Sequence, residues 1–230
     1  MQRLRYRVFN EELGEGLLES GHTGRDEDER DPWFHHLMIC HRESCAVVGT
    51  YQLQTAVMAA TRFGFYSATL FELGALPGTI IDGSVEIGRA CVAPEQRSGR
   101  VLRMLWKGLA CYLQWNSKRY LFGCCSLAET DVETASDAWR TLHARDAMHE
   151  RVLVKPRPHV SALADDGRHR PAFEADALTV ALPPLFDGYL ALGAKVCGAP
   201  ATDFEFGTID FLLLLDVNEM DQRTRQSFFG

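Results

Sequence analysis

The chain of 230 residues is 46% hydrophobic and 24% charged, which is typical of a soluble globular protein with a substantial core. Its formal net charge of −7 argues against a general nucleic-acid binder, because such proteins usually carry a basic excess. The seven cysteines include no CxxC pair, so they indicate reduced thiols rather than a disulfide framework. No apolar secretory segment follows Met1, and we therefore expect a cytoplasmic protein.

The first predicted element is a helix over Arg3–Leu13, because apolar residues recur there with helical spacing. A polar loop follows, in which every residue of Arg25–Asp31 is charged. Such a run is usually a solvated loop. Several carboxylates together also attract cations, so the alternative is the rim of a site for an amine.

A β-hairpin is predicted next, with strands at Leu37–Cys40 and Ala46–Leu53. Histidines and cysteines around the hairpin suggest zinc, but no second CxxC or HxxxH pair completes a four-ligand set, and we predict no metal. The histidines and cysteines around the hairpin are His35, His36, Cys40, His41 and Cys45. A helix over Thr55–Phe63 follows, and then an aromatic segment to Phe71 that suits either the core or the wall of a hydrophobic channel.

The predicted strand Ser84–Val92 places two charged residues, Glu86 and Arg89, among apolar ones. A buried charge without a partner is unfavourable, so each of them needs an ion-pair partner or a ligand. Strict alternation points the two side chains to opposite faces of the sheet, unless a bulge near Gly88 redirects one of them. The strand therefore indicates either a functional site or a structural ion pair within the core.

The next predicted helix, Gly99–Ser117, has an apolar stripe and a basic one. Four cations spaced three or four residues apart follow one side of its first turns. They are Arg97, Arg100, Arg103 and Lys107. Cations at the start of a helix oppose its dipole, so they do not serve helix stability. In an acidic chain this stripe indicates a docking surface for an anionic partner, with a plain solvated face as the alternative.

The remaining elements complete an α/β (α+β) pattern, which predicts a mixed sheet flanked by helices. They are a strand Tyr120–Ser126, a helix Glu133–Arg145, a loop Lys155–Pro171, a short helix from Leu182 to Gly193, two strands at Lys195–Gly198 and Ile209–Val217, and a polar tail after Asn218. The chain lacks GxGxxG, GxxxxGK[ST], GxSxG and HExxH motifs, so dinucleotide, P-loop, α/β-hydrolase and zincin chemistry are not indicated.

An ordered set of short motifs runs through nearly the whole chain. Its pieces are Arg5-Tyr6-Arg7-Val8-Phe9, Asp31 with His36-Leu37, Val48-Gly49-Thr50-Tyr51, Phe65-Tyr66-Ser67, Glu86-Ile87-Gly88-Arg89, Leu105-Trp106, Tyr120-Leu121-Phe122-Gly123-Cys124, Leu182-Pro183-Pro184-Leu185 with Gly188-Tyr189-Leu190, and Asp203-Phe204 with Asp210. Each piece alone is weak, but the set resembles the GNAT-related N-acyltransferases of the L-ornithine N-acyltransferase type. Those enzymes are in turn similar to acyl-homoserine-lactone synthases.

The resemblance implies a single GNAT-like domain over residues 1–230 with a mostly antiparallel sheet. It implies transfer of a 3-hydroxyacyl group from the thioester of an acyl carrier protein to the amine of ornithine, which would give a lyso-ornithine lipid. The expected partners are the carrier protein and a small amine. No cofactor and no nucleic acid are expected, and peripheral contact with the inner face of the membrane is compatible with a lipid product.

The resemblance also implies roles for individual residues. Glu86 is expected to be the base or the anchor of the amine, and Arg89 to hold a carboxylate or to order the site. The substrate pocket would be shaped by Arg5, Phe9, Asp31, His36 and Ser67. Arg97, Arg100, Arg103 and Lys107 would dock the acidic carrier protein. Backbone amides of a splayed strand would meet the thioester oxygen, and no covalent cysteine would be needed.

Two positions depart from the family pattern, because Gln52 stands where arginine is usual and Asp187 where lysine is usual. Both changes remove positive charge, so the acceptor is alternatively another amino acid or S-adenosylmethionine. A catalytically inactive regulator that binds the carrier protein is the alternative from another class. An ordinary acetyl-CoA-dependent enzyme is disfavoured, because Arg97–Leu102 lacks the usual glycine spacing.

Overall fold

The computed structural model describes residues 1–17, 19–163 and 180–230. Seven strands in these ranges form one sheet. They are β1 (His35–Cys40), β2 (Val47–Thr55), β3 (Ser84–Val92), β4 (Tyr120–Leu127), β5 (Lys195–Val196), β6 (Ala201–Asp203) and β7 (Thr208–Asp216). No helix within the described ranges has the length and apolar character needed to cross a membrane.

Helices flank this sheet. They are α1 (Gln2–Tyr6), α2 (Ser20–Thr23), α3 (Ala56–Ala59), α4 (Ser67–Leu70), α5 (Gly78–Asp82), α6 (Arg100–Trp115), α7 (Val132–Ala144), α8 (Pro184–Ala191) and α9 (Gln222–Phe229). A π-helical segment, Arg7–Leu13, continues α1 and ends at Gly14, whose φ of 72° is the left-handed conformation that glycine adopts without strain.

The strands follow the order β1-β2-β3-β4-β7-β5, and β6 pairs with β7 beside β5. Every pairing is antiparallel except that of β3 with β4. The predicted mixed, mostly antiparallel sheet flanked by helices is therefore confirmed. The single parallel pair is joined through α6, as a parallel connection requires a crossover.

β3 and β4 pair over only three positions, although both strands continue well beyond them. The last register pair is Glu86 with Phe122. A Cβ atom added at Gly123, the next residue of β4, would lie 2.2 Å from the backbone oxygen of Ile87. The two backbones therefore touch at Gly123 and then separate, which leaves a gap in the middle of the sheet.

The bulge that the sequence allowed near Gly88 is present one residue later. Thr50 pairs with Cys91 and Gln52 with Gly88, so one extra residue of β3 faces β2 at this point. Arg89 lies within the bulge and has a φ of 47°, which is uncommon for a residue with a Cβ atom. The bulge breaks the alternation that would otherwise point Glu86 and Arg89 to opposite faces.

Two hydrophobic clusters pack on opposite faces of the sheet. Residues of α6, α7 and α8 join the first cluster, together with Leu213 and Leu215 of β7. The second cluster contains Leu212 and Leu214 of the same strand, together with aromatic residues after α3. Because side chains alternate along a strand, odd-numbered and even-numbered residues of β7 lie on different faces.

Two predicted elements are wrong or incomplete, and one strand was missed. The helix expected over Thr55–Phe63 ends at Ala59, because the chain turns there and buries Phe65 edge-on against Phe122 at 4.9 Å between ring centroids. The expected polar tail contains α9, whose start is capped by Asp221. The short strand β6 was missed. Residues 164–171 of the predicted loop lie outside the described residues.

The close approach at Gly123 gives a test of this geometry. We expect Gly123→Ala to lower the free energy of unfolding by about 2 kcal/mol, because the added methyl group meets backbone rather than a flexible side chain. Urea denaturation would measure the loss. Gly88→Ala is the matched control on the neighbouring strand, since its Cβ would meet no atom within 4 Å. Equal stability of the two variants would contradict the close approach.

Candidate active site

A cavity of about 430 Å³ occupies the gap between β3 and β4. Even-numbered residues of β4, such as Cys124, line it together with odd-numbered ones, such as Cys125. Alternation places these side chains on opposite faces of the sheet, so the cavity passes through the sheet where the strands have parted. It joins a polar chamber on the face of the second cluster to an apolar chamber on the face of α6.

The apolar chamber is formed by helices on one side and by the end of β7 on the other. Trp106, Leu109 and Leu113 of α6 line it, and Phe186 of α8 and Leu215 of β7 lie opposite. The end of this chamber is lined by Phe228 and Phe229 of α9. Its walls offer dispersion contacts and few hydrogen-bonding groups, which suits a hydrocarbon chain.

Glu86 lies at the junction of the two chambers and is almost completely buried. Its two carboxylate oxygens accept hydrogen bonds from the backbone N–H groups of Tyr66 at 2.8 Å and Ser67 at 2.7 Å. Burial raises the pKa of Glu86, and the hydrogen bonds from Ser67 and Tyr66 partly oppose that rise. A carboxylate with a raised pKa that faces a cavity is a suitable proton acceptor.

Arg89 faces the same cavity because the bulge redirects it. Its Nη1 atom donates to Oδ2 of Asp26 at 2.7 Å. Its guanidinium carbon lies 4.0 Å from the ring centroid of Phe206 and 5.7 Å from that of Phe9, so the cation is held between two aromatic rings. The uncommon backbone conformation of Arg89 is thus maintained by an ion pair and two ring contacts.

Arg5, Asp31 and His36 lie beside the cavity rather than on its wall. The buried Arg5 guanidinium donates to both oxygens of Asp31, at 2.9 and 2.7 Å, and its Nε atom lies 2.8 Å from Asp26. Gln52 also donates to Asp31, and the His36 ring is 2.9 Å from the backbone oxygen of Asp31. Both oxygens of Asp31 are therefore occupied within the protein.

Of the seven residues predicted for the amine side, four line the cavity. These are Phe9, Ser67, Glu86 and Arg89. The two departures from the family pattern lie in different places. Gln52 faces the Asp31 carboxylate, whereas Asp187 is exposed and pairs with Arg145 at 2.6 Å. The positive charge that is usual in the family at position 187 is thus missing from the surface and not from the cavity.

Two buried carboxylates in the polar chamber were not predicted as site residues. Asp203 accepts a hydrogen bond from the hydroxyl of Tyr66, and Asp210 accepts one from Thr208 at 3.0 Å. Burial and the negative charge of Asp203 raise the pKa of Asp210 to about 7. Like Glu86, Asp210 is a carboxylate within an otherwise apolar strand, so the same reasoning would have identified it as a candidate site residue.

Arg30 is a further cavity residue that sequence reasoning missed. It lies in the charged run before Asp31, for which the sequence predicted either a solvated loop or a rim of carboxylates that attracts an amine, with no role for an arginine. Its guanidinium carbon is 5.2 Å from the ring centroid of Phe63 and 5.9 Å from that of Tyr66. The Nη1 atom is buried and has no hydrogen-bond partner within the described part of the chain.

The predicted basic stripe lies on the outer side of α6. Arg97 is engaged, because it forms a double ion pair with Glu12 and donates to the backbone oxygen of Val92 at 3.2 Å. The other three cations are exposed and make no ion pair with any described residue. They are Arg100, Arg103 and Lys107. The opposite side of the same helix is buried, so α6 separates a basic surface from the apolar chamber.

The cysteines of β4 are unsuited to covalent catalysis. Burial raises the pKa of Cys124 well above its ordinary value, with the negative charge of Asp210 acting in the same direction. Burial likewise raises the pKa of Cys125. A thiol, unlike a thiolate, is a poor nucleophile, so neither cysteine is a good candidate for a covalent intermediate.

Comparisons with known proteins identify a domain family and relatives of this chain. Residues 4–107 match the Acetyltransferase (GNAT) domain family. The L-ornithine N(alpha)-acyltransferase of Rhizobium meliloti is 34% identical over 232 residues, which are 96% of this chain and 77% of the relative. The protein of the same name from Rhodobacter capsulatus is 32% identical over 235 residues, covering 99% of this chain and 88% of the relative.

A solved structure shares the fold at low sequence identity. BjaI, a CoA-dependent acyl-homoserine lactone synthase, superposes with a TM-score of 0.52 at 15% identity. The match covers 99% of this chain and 77% of BjaI. Together with the match to the Acetyltransferase (GNAT) domain family, the fold is GNAT-like, as the sequence motifs predicted.

The raised pKa of Asp210 predicts a pH dependence of stability. The folded state holds this proton up to about pH 7, whereas the unfolded chain releases it near the ordinary value of 3.8, so stability falls as pH rises through that window. We expect Asp210→Asn to remove this loss. Relative to wild type, the variant should gain roughly 2–3 kcal/mol in unfolding free energy between about pH 5 and about pH 8.

Urea denaturation at both pH values would measure the gain. Glu72→Gln serves as control, because Glu72 is exposed and removing its carboxylate should leave the pH dependence of wild type unchanged. Parallel pH profiles for Asp210→Asn and wild type would show that Asp210 is already charged at the lower pH.

Proposed function

We propose that this chain, which belongs to the L-ornithine N(alpha)-acyltransferase family, transfers a fatty acyl group from a thioester to the α-amine of ornithine. The observation that supports this most directly is the cavity through the sheet. Its polar chamber suits a small amine, its apolar chamber suits an acyl chain, and Glu86 lies where the two meet. The reacting atoms of two different substrates would meet at this junction.

The charge of the polar chamber favours a cationic acceptor. Glu86, Asp203 and Asp210 are all buried there, and none of them forms an ion pair with any described residue. Buried carboxylates without an ion-pair partner are unfavourable, and a bound ammonium group would offset that cost. Ornithine brings two ammonium groups, one at the α-carbon and one at the end of its side chain, which fits a chamber with several carboxylates.

In the proposed mechanism the α-ammonium group loses one proton to Glu86, directly or through a water molecule. The neutral amine then attacks the thioester carbonyl carbon, forming the C–N bond. The tetrahedral intermediate loses a second proton from nitrogen and breaks its C–S bond, and the departing sulfur takes up a proton as the free thiol. Holding both substrates at the junction supplies much of the rate, because it converts an encounter between two molecules into a reaction between bound neighbours.

The gap in the sheet also provides for the charge that develops on the thioester oxygen. Register pairs between β3 and β4 end at Glu86 and Phe122. Backbone N–H groups that would otherwise pair across the sheet beyond this point are available to a ligand. N–H donors already in place for a developing oxyanion are a strong source of transition-state stabilisation.

An acyl carrier protein is the donor that suits the exterior of α6. Carrier proteins are acidic, and the exposed cations Arg100, Arg103 and Lys107 would attract such a surface toward the start of the helix. The buried side of the same helix lines the apolar chamber, so docking there would bring the acyl chain to its channel. With a 3-hydroxyacyl donor the product would be a lyso-ornithine lipid, made without a cofactor.

The base is tested by replacing its carboxylate. We expect Glu86→Gln to lower kcat by roughly 100-fold or more with ornithine and an acyl carrier protein thioester, because the amide cannot accept the proton. Thiol release would measure the rate, and a panel of amino acids with S-adenosylmethionine would identify the acceptor. Glu129→Gln is the control, since Glu129 is exposed just after β4.

A folded Glu86→Gln variant with near-normal turnover would remove the role of Glu86 as base. Transfer by wild type to another amine, with none to ornithine, would replace the proposed acceptor. Binding of the carrier protein without thiol release for any acceptor would indicate the inactive regulator instead.

The docking surface is tested by reversing its charge. We expect Arg100→Glu together with Arg103→Glu to raise KM for the carrier-protein thioester roughly tenfold while kcat changes little, because the cations touch the carrier and not the reacting atoms. The effect should shrink as salt is added. Lys155→Glu is the control, because this exposed cation lies beside the second cluster on the other face of the sheet. Equal KM changes in both variants would contradict a specific docking surface.

A further inference from the structure

Arg30 is the cation of the polar chamber that the proposed mechanism leaves unused. It lines the cavity, and its buried Nη1 atom has no hydrogen-bond partner among the described residues. A buried N–H group without an acceptor costs about 1–3 kcal/mol, and the cost is larger for a charged group. A guanidinium held in this state next to a ligand cavity points to an anionic group of the ligand as the missing acceptor.

The other guanidinium groups near the site already have partners. Arg5 is saturated by Asp26 and Asp31, and it does not reach the cavity wall. Arg89 reaches the cavity, but its Nη1 atom is bound by Asp26 and its Nη2 atom lies 3.9 Å from Asp28. Arg30 has no ion pair with any residue that the structure describes, so it is the guanidinium best placed to bind a ligand anion.

Tyr66 brings Arg30 next to the anionic groups of the chamber. The Arg30 guanidinium lies over the Tyr66 ring, the backbone N–H of Tyr66 donates to Glu86, and its hydroxyl donates to Asp203. One residue thus touches a free cation and two carboxylates. An α-amino acid carries its carboxylate and its ammonium group on the same carbon, so a site for it needs an adjacent cation and anion.

We infer that Arg30 binds the α-carboxylate of the acceptor and thereby turns its α-amine toward Glu86. This inference rests on the proposed function, since it assumes that the acceptor is an amino acid. It also accounts for the departure at position 52, because Gln52 is directed at Asp31 and carboxylate recognition falls to a different side chain. Arg30 is therefore a specificity-determining residue, which selects amino acids over simple amines.

A purely structural role for Arg30 is the alternative, because cation–π contacts with Phe63 and Tyr66 also stabilise a fold. Arg62 offers a matched control for that role. Its guanidinium carbon lies 4.8 Å from the same Phe63 ring and 5.1 Å from the Trp33 ring, but it is exposed and does not line the cavity. Loss of a ring contact alone should affect both arginines alike.

The experiment compares L-ornithine with L-ornithinamide, which keeps both amines and replaces only the α-carboxylate by a neutral amide. Acylation of each would be measured for wild type, Arg30→Gln, Arg30→Lys and Arg62→Gln, with the acyl thioester that supports wild-type turnover. We expect Arg30→Gln to lower kcat/KM for ornithine roughly 100-fold, mostly through KM, because the ligand carboxylate loses a bidentate partner. Ornithinamide should change by no more than about threefold.

The preference for ornithine over its amide should therefore nearly vanish in Arg30→Gln, survive partly in Arg30→Lys, and remain intact in Arg62→Gln. Equal losses with both substrates, or no loss with either, would overturn the inference. If wild type acylates a different α-amino acid and leaves ornithine unchanged, the proposed acceptor is wrong. The same comparison between that amino acid and its amide then still decides the role of Arg30. Urea denaturation of each variant would separate a folding defect from lost recognition.

Discussion

The site depends on one constraint, the separation of β3 from β4 after a single short stretch of parallel pairing. Their register ends at Glu86 and Phe122, and the contact of Gly123 with the Ile87 backbone is the last close approach. A continuous sheet would isolate its two faces from each other. The gap instead connects a chamber lined by carboxylates to one lined by apolar side chains. In the proposed function, a polar and an apolar substrate would meet there at one carboxylate.

A buried set of ion pairs holds the polar chamber beside that gap in position. Arg5 binds Asp26 and Asp31, and Asp26 also binds Arg89, so two cations and two anions are neutralised together. Taking such charges out of water is costly, and only mutual pairing offsets the desolvation. The arrangement ties the first helix and the acidic loop to the bulge in β3. The position of the Arg89 side chain therefore depends on ion-paired residues that do not themselves line the cavity.

The distribution of charge is compatible with the proposal that an acidic chain binds both an amine and an acidic carrier. Carboxylates such as Asp210 are buried inside, whereas the cations of α6 are exposed outside. In that proposal the buried carboxylates would act on a desolvated amine at short range, where electrostatic interactions are strong. The exposed cations would act on a partner in solution at longer range, where salt screens them. Net charge alone therefore describes neither interaction.

Periodicity in the sequence predicted most of the longer helices and strands, because it depends on neighbouring residues; Ser84–Val92 is a strand at its predicted bounds. The sequence also indicated Glu86, because a carboxylate in an apolar strand needs a partner or a ligand. Which charges lie together depends instead on tertiary contacts. The separated strands, the bulge at Arg89 and the unpaired guanidinium of Arg30 all depend on contacts between segments distant in sequence. No local pattern records such contacts, because register and strand separation are set by the packing of the whole sheet.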